Sequence, residues 1–228
     1  MFIDISFRFR TNVSFDAYQC KTDATACLSK KGAAAIGKEK MAFYEQDMDV
    51  DYFLHLATNG HAFCNLFDYD SAKEYWFQDN RGSWHKESPV YKTGKRKGCM
   101  KLCMKADRFF KGAQTVFVDV DYTRFTNITD YLNTLTYKPT CVYMSFSDNK
   151  DKHGVISRRF RMVYVFDRVL NMKELVHISQ TINDQIVFDT AEPMEDDCGT
   201  RVSQYMNGVY GNNEYYTSSI IWQVSDFP

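Results

Sequence analysis

T-V-F-V-D-V-D, from Thr115 to Asp121, is the stretch on which the reading of the fold turns. Apolar and β-branched residues run straight into two carboxylates two positions apart, the pattern of a buried strand that ends with Asp119 and Asp121 on one face. Acids held a few ångströms apart raise each other's pKa, so something positive belongs between them. A divalent cation that prefers hard oxygen ligands, Mg²⁺ or Mn²⁺, meets that need. With a third carboxylate from elsewhere in the chain, such a pair forms the core of a two-metal phosphoryl- or nucleotidyl-transfer site. Two solvated acids at a strand end give the same sequence, and the motif alone leaves both readings open.

Working outward, residues 127–135 read as a short helix stopped by Pro139, and residues 141–146 as the next strand. A polar loop over 148–154 leads into a strongly alternating strand over 159–166, with Asp167 and Arg168 in a turn after it. Asn171 with Glu174 three residues on is a capping-box variant that opens a helix to about residue 185, followed by a short strand over 186–188 ending at Asp189. The order β-α-β-β-α-β predicts an open antiparallel sheet with both helices on one face. Before it, residues 2–10 alternate as a strand, 49–57 have helical periodicity, and 61–67 and 74–78 read as strands with a turn at 79–82. The segment 30–37 is irregular and rich in small residues, 192–197 is an acidic loop, and a last strand is expected over 219–224.

The 228 residues suffice for a sizeable core, and the 16% aromatic content suits both strands and base-stacking surfaces. A net charge of −1 hides an asymmetry. Residues 1–111 carry 18 Lys+Arg against 14 Asp+Glu, and residues 112–228 carry 10 against 15. Residues 92–111 alone hold eight basic residues against Asp107, which reads either as a solvated face or as a track for nucleic-acid phosphates. No run of apolar residues is long enough to span a membrane and no signal peptide leads the chain, so a cytoplasmic protein with no membrane partner is expected. Seven cysteines without disulfide spacing fit a reducing compartment. Cys99 and Cys103, with His85, Cys64 or His61, lack the second close pair that a structural site needs, and no zinc is expected.

The strings K-A-D-R-F-F-K-G-A-Q-T-V-F-V-D-V-D, V-Y-M-S-F-S, R-R-F-R-M-V-Y-V-F-D-R, F-D and R-V-S-Q-Y-M-N-G, in that order, resemble the catalytic core of the archaeo-eukaryotic primase superfamily. The likeness is to the primase-polymerases of phages, plasmids and mobile elements, and it covers about residues 105–208. It implies an α+β fold in which an RRM-like β-α-β-β-α-β module over 112–228 binds metal and nucleotide. That module would pack on an N-terminal α/β module over 1–111 carrying the basic template-binding segment. By the same resemblance, Asp119, Asp121 and Asp189 are the metal-binding, catalytic acids. Ser145, Ser147, Arg159 and Arg161 fall in the motif that holds the incoming triphosphate, and Arg201 and Gln204 fall in a later nucleotide-side element. Many relatives have a histidine directly after the second-motif serine; this chain has Asp148 there, with His153 in the following loop, so both are candidates for the triphosphate grip.

These residues imply primer synthesis from nucleoside triphosphates on single-stranded DNA by two-metal nucleotidyl transfer, in the replication of a mobile element, plasmid or phage. Template contacts are expected from Lys95, Arg96, Lys97, Lys101, Lys105 and Arg108. Family members often carry a helicase or a helical primase domain after this core, and no helical bundle follows here. The alternative from another class is a non-catalytic replication-initiation module that binds single-stranded DNA; a metal-dependent nuclease is a third reading. Trp76, Trp84 and Trp222 read as core or interface residues, with base stacking by Trp84, near the basic segment, as the alternative for that residue.

Overall fold

The computed structural model describes residues 2–3, 7–17, 42–68, 74–78, 81–101, 107–152, 154–187, 205–210 and 214–228. Its first half contains β1 (Phe2–Ile3), β2 (Phe9–Ser14), β3 (Ala42–Met48), α1 (Val50–Thr58), β4 (Phe63–Cys64), β5 (Leu66–Phe67), β6 (Tyr75–Gln78), β7 (Trp84–Glu87) and β8 (Met100–Lys101). The second half contains β9 (Phe110–Val120), α2 (Ile128–Thr134), β10 (Cys141–Met144), β11 (Asp151–Lys152), β12 (Val155–Ile156), β13 (Phe160–Leu170), α3 (Met172–Val187), β14 (Tyr205–Met206), β15 (Tyr215–Thr217) and β16 (Ile220–Trp222). The class is mixed α+β, with mostly antiparallel sheets and three helices among the described residues.

The long strands β9 and β13 form the antiparallel centre of a seven-stranded sheet, with Val120 opposite Phe160 and Thr115 opposite Val165. On the other edge of β13, β10 pairs antiparallel with its first half and β16 parallel with its second. Strand β15 lies outside β10, β1 outside β16, and β5 along the start of β9. Because β9 and β10 both run antiparallel to β13, the connection through α2 carries the chain over β13 between two mutually parallel strands.

Both faces of this sheet are covered, which is why β9 reads as a continuous apolar run. Val116, Val118 and Val120 pack with Phe160, Met162, Tyr164 and the α3 residues Leu175, Ile178 and Ile182. Phe117 points the other way, into a second core with Phe53, Tyr143, Val163 and Val165. That second core lies between the seven-stranded sheet and a five-stranded sheet of order β14-β4-β2-β3-β8, with α1 contributing Phe53, Leu54 and Ala57. Buried Gln114 stitches the two sheets: its Oε1 accepts from the Arg10 amide at 3.1 Å and its Nε2 donates to the Phe166 carbonyl at 3.1 Å. Each sheet draws on both halves of the sequence, since β1 and β5 join the larger one and β14 the smaller, and residue 111 itself lies within β9.

Helix α1 starts where Asp49 Oδ1 accepts from the Tyr52 amide at 2.8 Å. Helix α3 has the reciprocal cap expected of it: Asn171 Oδ1 accepts from the amides of Lys173 and Glu174, and Glu174 Oε2 accepts from the Asn171 amide at 2.9 Å. The strand expected over 186–188 is overturned for Ile186 and Val187, which are the last residues of α3. Ile178, Ile182 and Ile186 recur every four residues and are all buried, so continuing the helix places Ile186 in the core and outweighs its β-branched preference. Asp167 and Arg168 lie inside β13 rather than in a turn, at an irregularity in its pairing between Val165 and Leu170. The expected irregular segment at 30–37 and the acidic loop at 192–197 lie outside the described residues. Among the described residues no helix is long and apolar enough to cross a membrane.

The α3 cap generates a pH dependence. Hydrogen bonds from Arg168, then from the Asn171 amide, hold the Glu174 carboxyl down at about 2. A depressed folded-state pKa stabilises the protein above the unfolded value of about 4.3, and that contribution is lost as pH falls toward 2. Glu174→Gln is expected to lower stability by about 1 kcal/mol at neutral pH and to flatten the urea-midpoint profile between about pH 4.5 and 2.

Candidate functional site

On the inter-sheet face of the larger sheet, three polar side chains stand in one row across three strands. Asp119 on β9 is directly opposite Arg161 on β13, which is directly opposite Tyr143 on β10. The alternation that sends Phe117 into the inter-sheet core sends Asp119 the same way, two residues nearer the strand end. Arg161 Nε lies 3.4 Å from Asp119 Oδ1, and the two side chains are only 12% and 22% exposed. Arg161 Nη1 donates to the Asn207 carbonyl at 2.9 Å, and the Tyr143 hydroxyl donates to the same oxygen at 3.3 Å. Burial alone would lower the Arg161 pKa, but the Asp119 carboxylate, with Tyr143 and Asp121, outweighs it and holds the guanidinium above its ordinary value. Burial likewise pushes the Tyr143 hydroxyl well up. Asp121 follows β9 directly and is partly exposed. The positive charge that the paired acids call for is therefore supplied to Asp119, in the chain itself, by a neighbouring strand.

The next row toward the end of the sheet is organised around Arg159, which is fully buried. Its Nη1 donates to the carbonyls of Ser147 and Lys150, and its Nη2 to that of Val155, each at 2.7 Å. The guanidinium also lies 4.9 Å from the centroid of the Tyr122 ring. Asp148 Oδ1 accepts from the Arg159 amide at 2.8 Å and from Arg158 Nε at 3.0 Å. The hydroxyls of Ser145 and Ser147 are 3.2 Å apart. Ser145, Ser147, Asp148 and Arg159 are thus brought together, and the polar groups of Asp148 and Arg159 hold the loop that joins β10 to β13. Arg161 is the member of the arginine pair on the acids' row.

The basic segment lies elsewhere. It runs into β8, the edge of the five-stranded sheet opposite β14, and the Arg161-binding Asn207 directly follows β14. Lys95 and Arg96 both pair with Asp16, and together they outweigh its burial to hold that carboxyl below the usual range. Lys101 pairs with Glu87 at 3.1 Å, Arg108 donates to the Trp76 carbonyl at 2.8 Å, and Lys97 is exposed. Asp189, His153, Arg201, Gln204 and Lys105 lie outside the described residues, as do Cys103, Cys20 and Cys27. Among the described residues no three His, Cys, Asp or Glu side chains are gathered. A cleft of about 340 Å³ lined by Thr126, Asn127, Arg158, Glu214 and Tyr215 does not include the acid row.

Two residues of the site were not singled out by sequence reasoning. Tyr143 was legible, because it sits two positions before Ser145 and so shares its face in an extended segment. Asn207 was not, since its role depends on a backbone carbonyl placed by Gly208. A Cβ on Gly208 would fall inside contact distance of the carbonyl oxygens of Ala57 and His61 at the end of α1, where the Val209 amide also donates to Ala57 at 2.7 Å. No family model, curated protein or solved structure matches this chain.

Removing one member of a largely buried ion pair strands the other's charge. A double-mutant cycle of Asp119→Ala and Arg161→Met, read by urea unfolding, is expected to return a coupling energy of about 2 kcal/mol. Gly208→Ala is expected to cost about 3 kcal/mol in the same measurement, because its neighbours are backbone and cannot turn aside.

Proposed function

We propose that this protein is a nucleotidyltransferase of the primase-polymerase type, extending primers from nucleoside triphosphates on single-stranded DNA. The observation that carries the reading is the placement of Asp119 and Asp121 at the end of a central strand, on the inter-sheet face, with Arg161 directly across from Asp119. The crossover that sets β9 and β10 on either side of β13 supports the finer reading of this module as RRM-like.

Asp119 and Asp121 offer hard carboxylate oxygens, and two such ligands leave most of a Mg²⁺ or Mn²⁺ coordination sphere for phosphate oxygens and water. Asp119 and Asp121 are the proposed ligands of that ion, with Asp189 as the proposed third. When bound, the cations would supply charge neutralisation to the attacking and leaving oxygens of an in-line phosphoryl transfer. The chain's own residues do the rest. Arg161, held beside Asp119 by the Asn207 carbonyl, is placed to meet phosphate oxygens once Asp119 is otherwise neutralised. Ser145 and Ser147 present hydroxyls on the neighbouring strand end, and Arg159 and Asp148 fix the loop that carries them.

Two observations favour the non-catalytic alternative, a module that binds single-stranded DNA. Asp119 is already neutralised by Arg161, and the Arg159 guanidinium is engaged by three carbonyls. A template assay separates the two. With single-stranded DNA, labelled nucleotides and Mn²⁺, the wild type is expected to make extended product, and Asp119→Asn and Asp121→Asn each to reduce it by about a hundredfold or more. The isosteric asparagines are preferred to alanine because they keep a hydrogen-bonding partner for Arg161. DNA binding without product from any of the three proteins would select the alternative, and shortened template would select a nuclease.

A further inference from the structure

The β6–β7 ribbon, a two-stranded sheet of its own, turns two tryptophans to solvent. Trp76 is 57% exposed and Trp84 58%. The pairing sets Trp76 opposite Lys86 and Trp84 opposite Gln78, so both indoles stand on one face of the ribbon as diagonal neighbours. Diagonal positions across an antiparallel pair lie about 7 Å apart, roughly twice the 3.4 Å rise between stacked bases. The ribbon is anchored at its root. Tyr75 packs edge-on against Phe109 with ring centres 5.0 Å apart, and Arg108 donates to the Trp76 carbonyl. Leaving two indoles in water is costly, and this face carries no aliphatic side chain that a protein groove or the acyl region of a membrane would take up.

The surroundings are cationic. Residues 74–101 hold seven Lys+Arg against three Asp+Glu. Lys86 and Lys92 share Glu74 at 3.0 and 3.7 Å, and these side chains are 45% exposed or more. Such surface pairs are weak and screened, so phosphate oxygens can replace the carboxylate at little cost.

We propose that the Trp76–Trp84 face of the ribbon, with the basic loop over 92–98, is a stacking platform for single-stranded DNA. Indoles recognise the π-faces of bases, which a duplex hides in its own stack and a single strand exposes. The lysines take the phosphates between stacked bases. From β8, beside this loop, to β14, beside the acid row, is four strand spacings, or about 19 Å, so a strand held on the ribbon can continue toward Asp119 and Asp121. The platform shares its single-stranded partner with the proposed function but uses none of its acids, and the two can fail separately.

The test is a titration of a fluorescein-labelled oligo-dT of about 12 nucleotides read by anisotropy, with the intrinsic fluorescence of the wild type and the acid variant as a second readout, run on wild type, Trp76→Ala, Trp84→Ala, the double variant, and Asp119→Asn/Asp121→Asn. Buried Trp222 reports folding in every variant. Wild type is expected to be quenched on binding, each alanine to weaken binding about tenfold, the acid variant to bind as wild type, and a duplex of the same length to bind less tightly. Unchanged affinity in the folded double variant would overturn the proposal, as would wild-type binding to vesicles of anionic phospholipid in preference to oligo-dT. A product gel that is blank while the quenching persists would remove the catalytic reading and leave the platform standing.

Discussion

Everything at the candidate site depends on the register of β9 against β13. Asp119 meets Arg161 because Val120 meets Phe160 and Val118 meets Met162, and those apolar pairs are fixed by α2 and α3 packing over them. A slip of β9 by one residue would turn Asp119 into the helix-covered core, away from Arg161, and bring Val118 and Val120 to the inter-sheet face. The charged row is thus held in place chiefly by hydrophobic burial on the opposite side of the sheet. The ion pair adds specificity to a register that the valines already favour.

The loop between β10 and β13 works on a different principle. Its shape comes from one buried guanidinium that collects three carbonyls, and from one carboxylate that gathers a backbone amide and Arg158. Arg158 in turn reaches Glu214 just before β15, so the loop is tied to a neighbouring strand as well as to itself. Charged side chains here do what backbone ladders do elsewhere, satisfying carbonyls that would otherwise be buried unpaired. The buried hydroxyls of Ser145 and Ser147, 3.2 Å apart, are held in place by the same loop.

How much of this was legible in the sequence follows from the range over which each signal acts. Local signals read correctly: the strand that carries Asp119, the helical periodicity over 49–57, and the Asn171–Glu174 box of α3 are written within a few neighbouring residues. Ile186 misled because β-branching argues for a strand while its spacing from Ile182 and Ile178 argues for a helix, and only the assembled core decides between them. The arginines could not be told apart from their positions on an alternating strand. Arg159 and Arg161 point to the same face, yet one is enclosed by its own loop and the other faces an acid on the next strand. Asn207 was beyond reach, because its part is played by a main-chain oxygen seated against α1.

The interleaving of the two sheets has a consequence for how the chain comes to be folded. Phe2 and Ile3 pair with Ile221 and Ile220, and Tyr205 and Met206 return to Cys64 and Phe63, so neither sheet is complete until residues from both ends of this sequence are present. Long-range closures of this kind are slow, since the entropy of the loop must be lost before the contact forms. Cutting the chain near its middle would therefore yield two fragments with exposed strand edges, each wanting what the other holds.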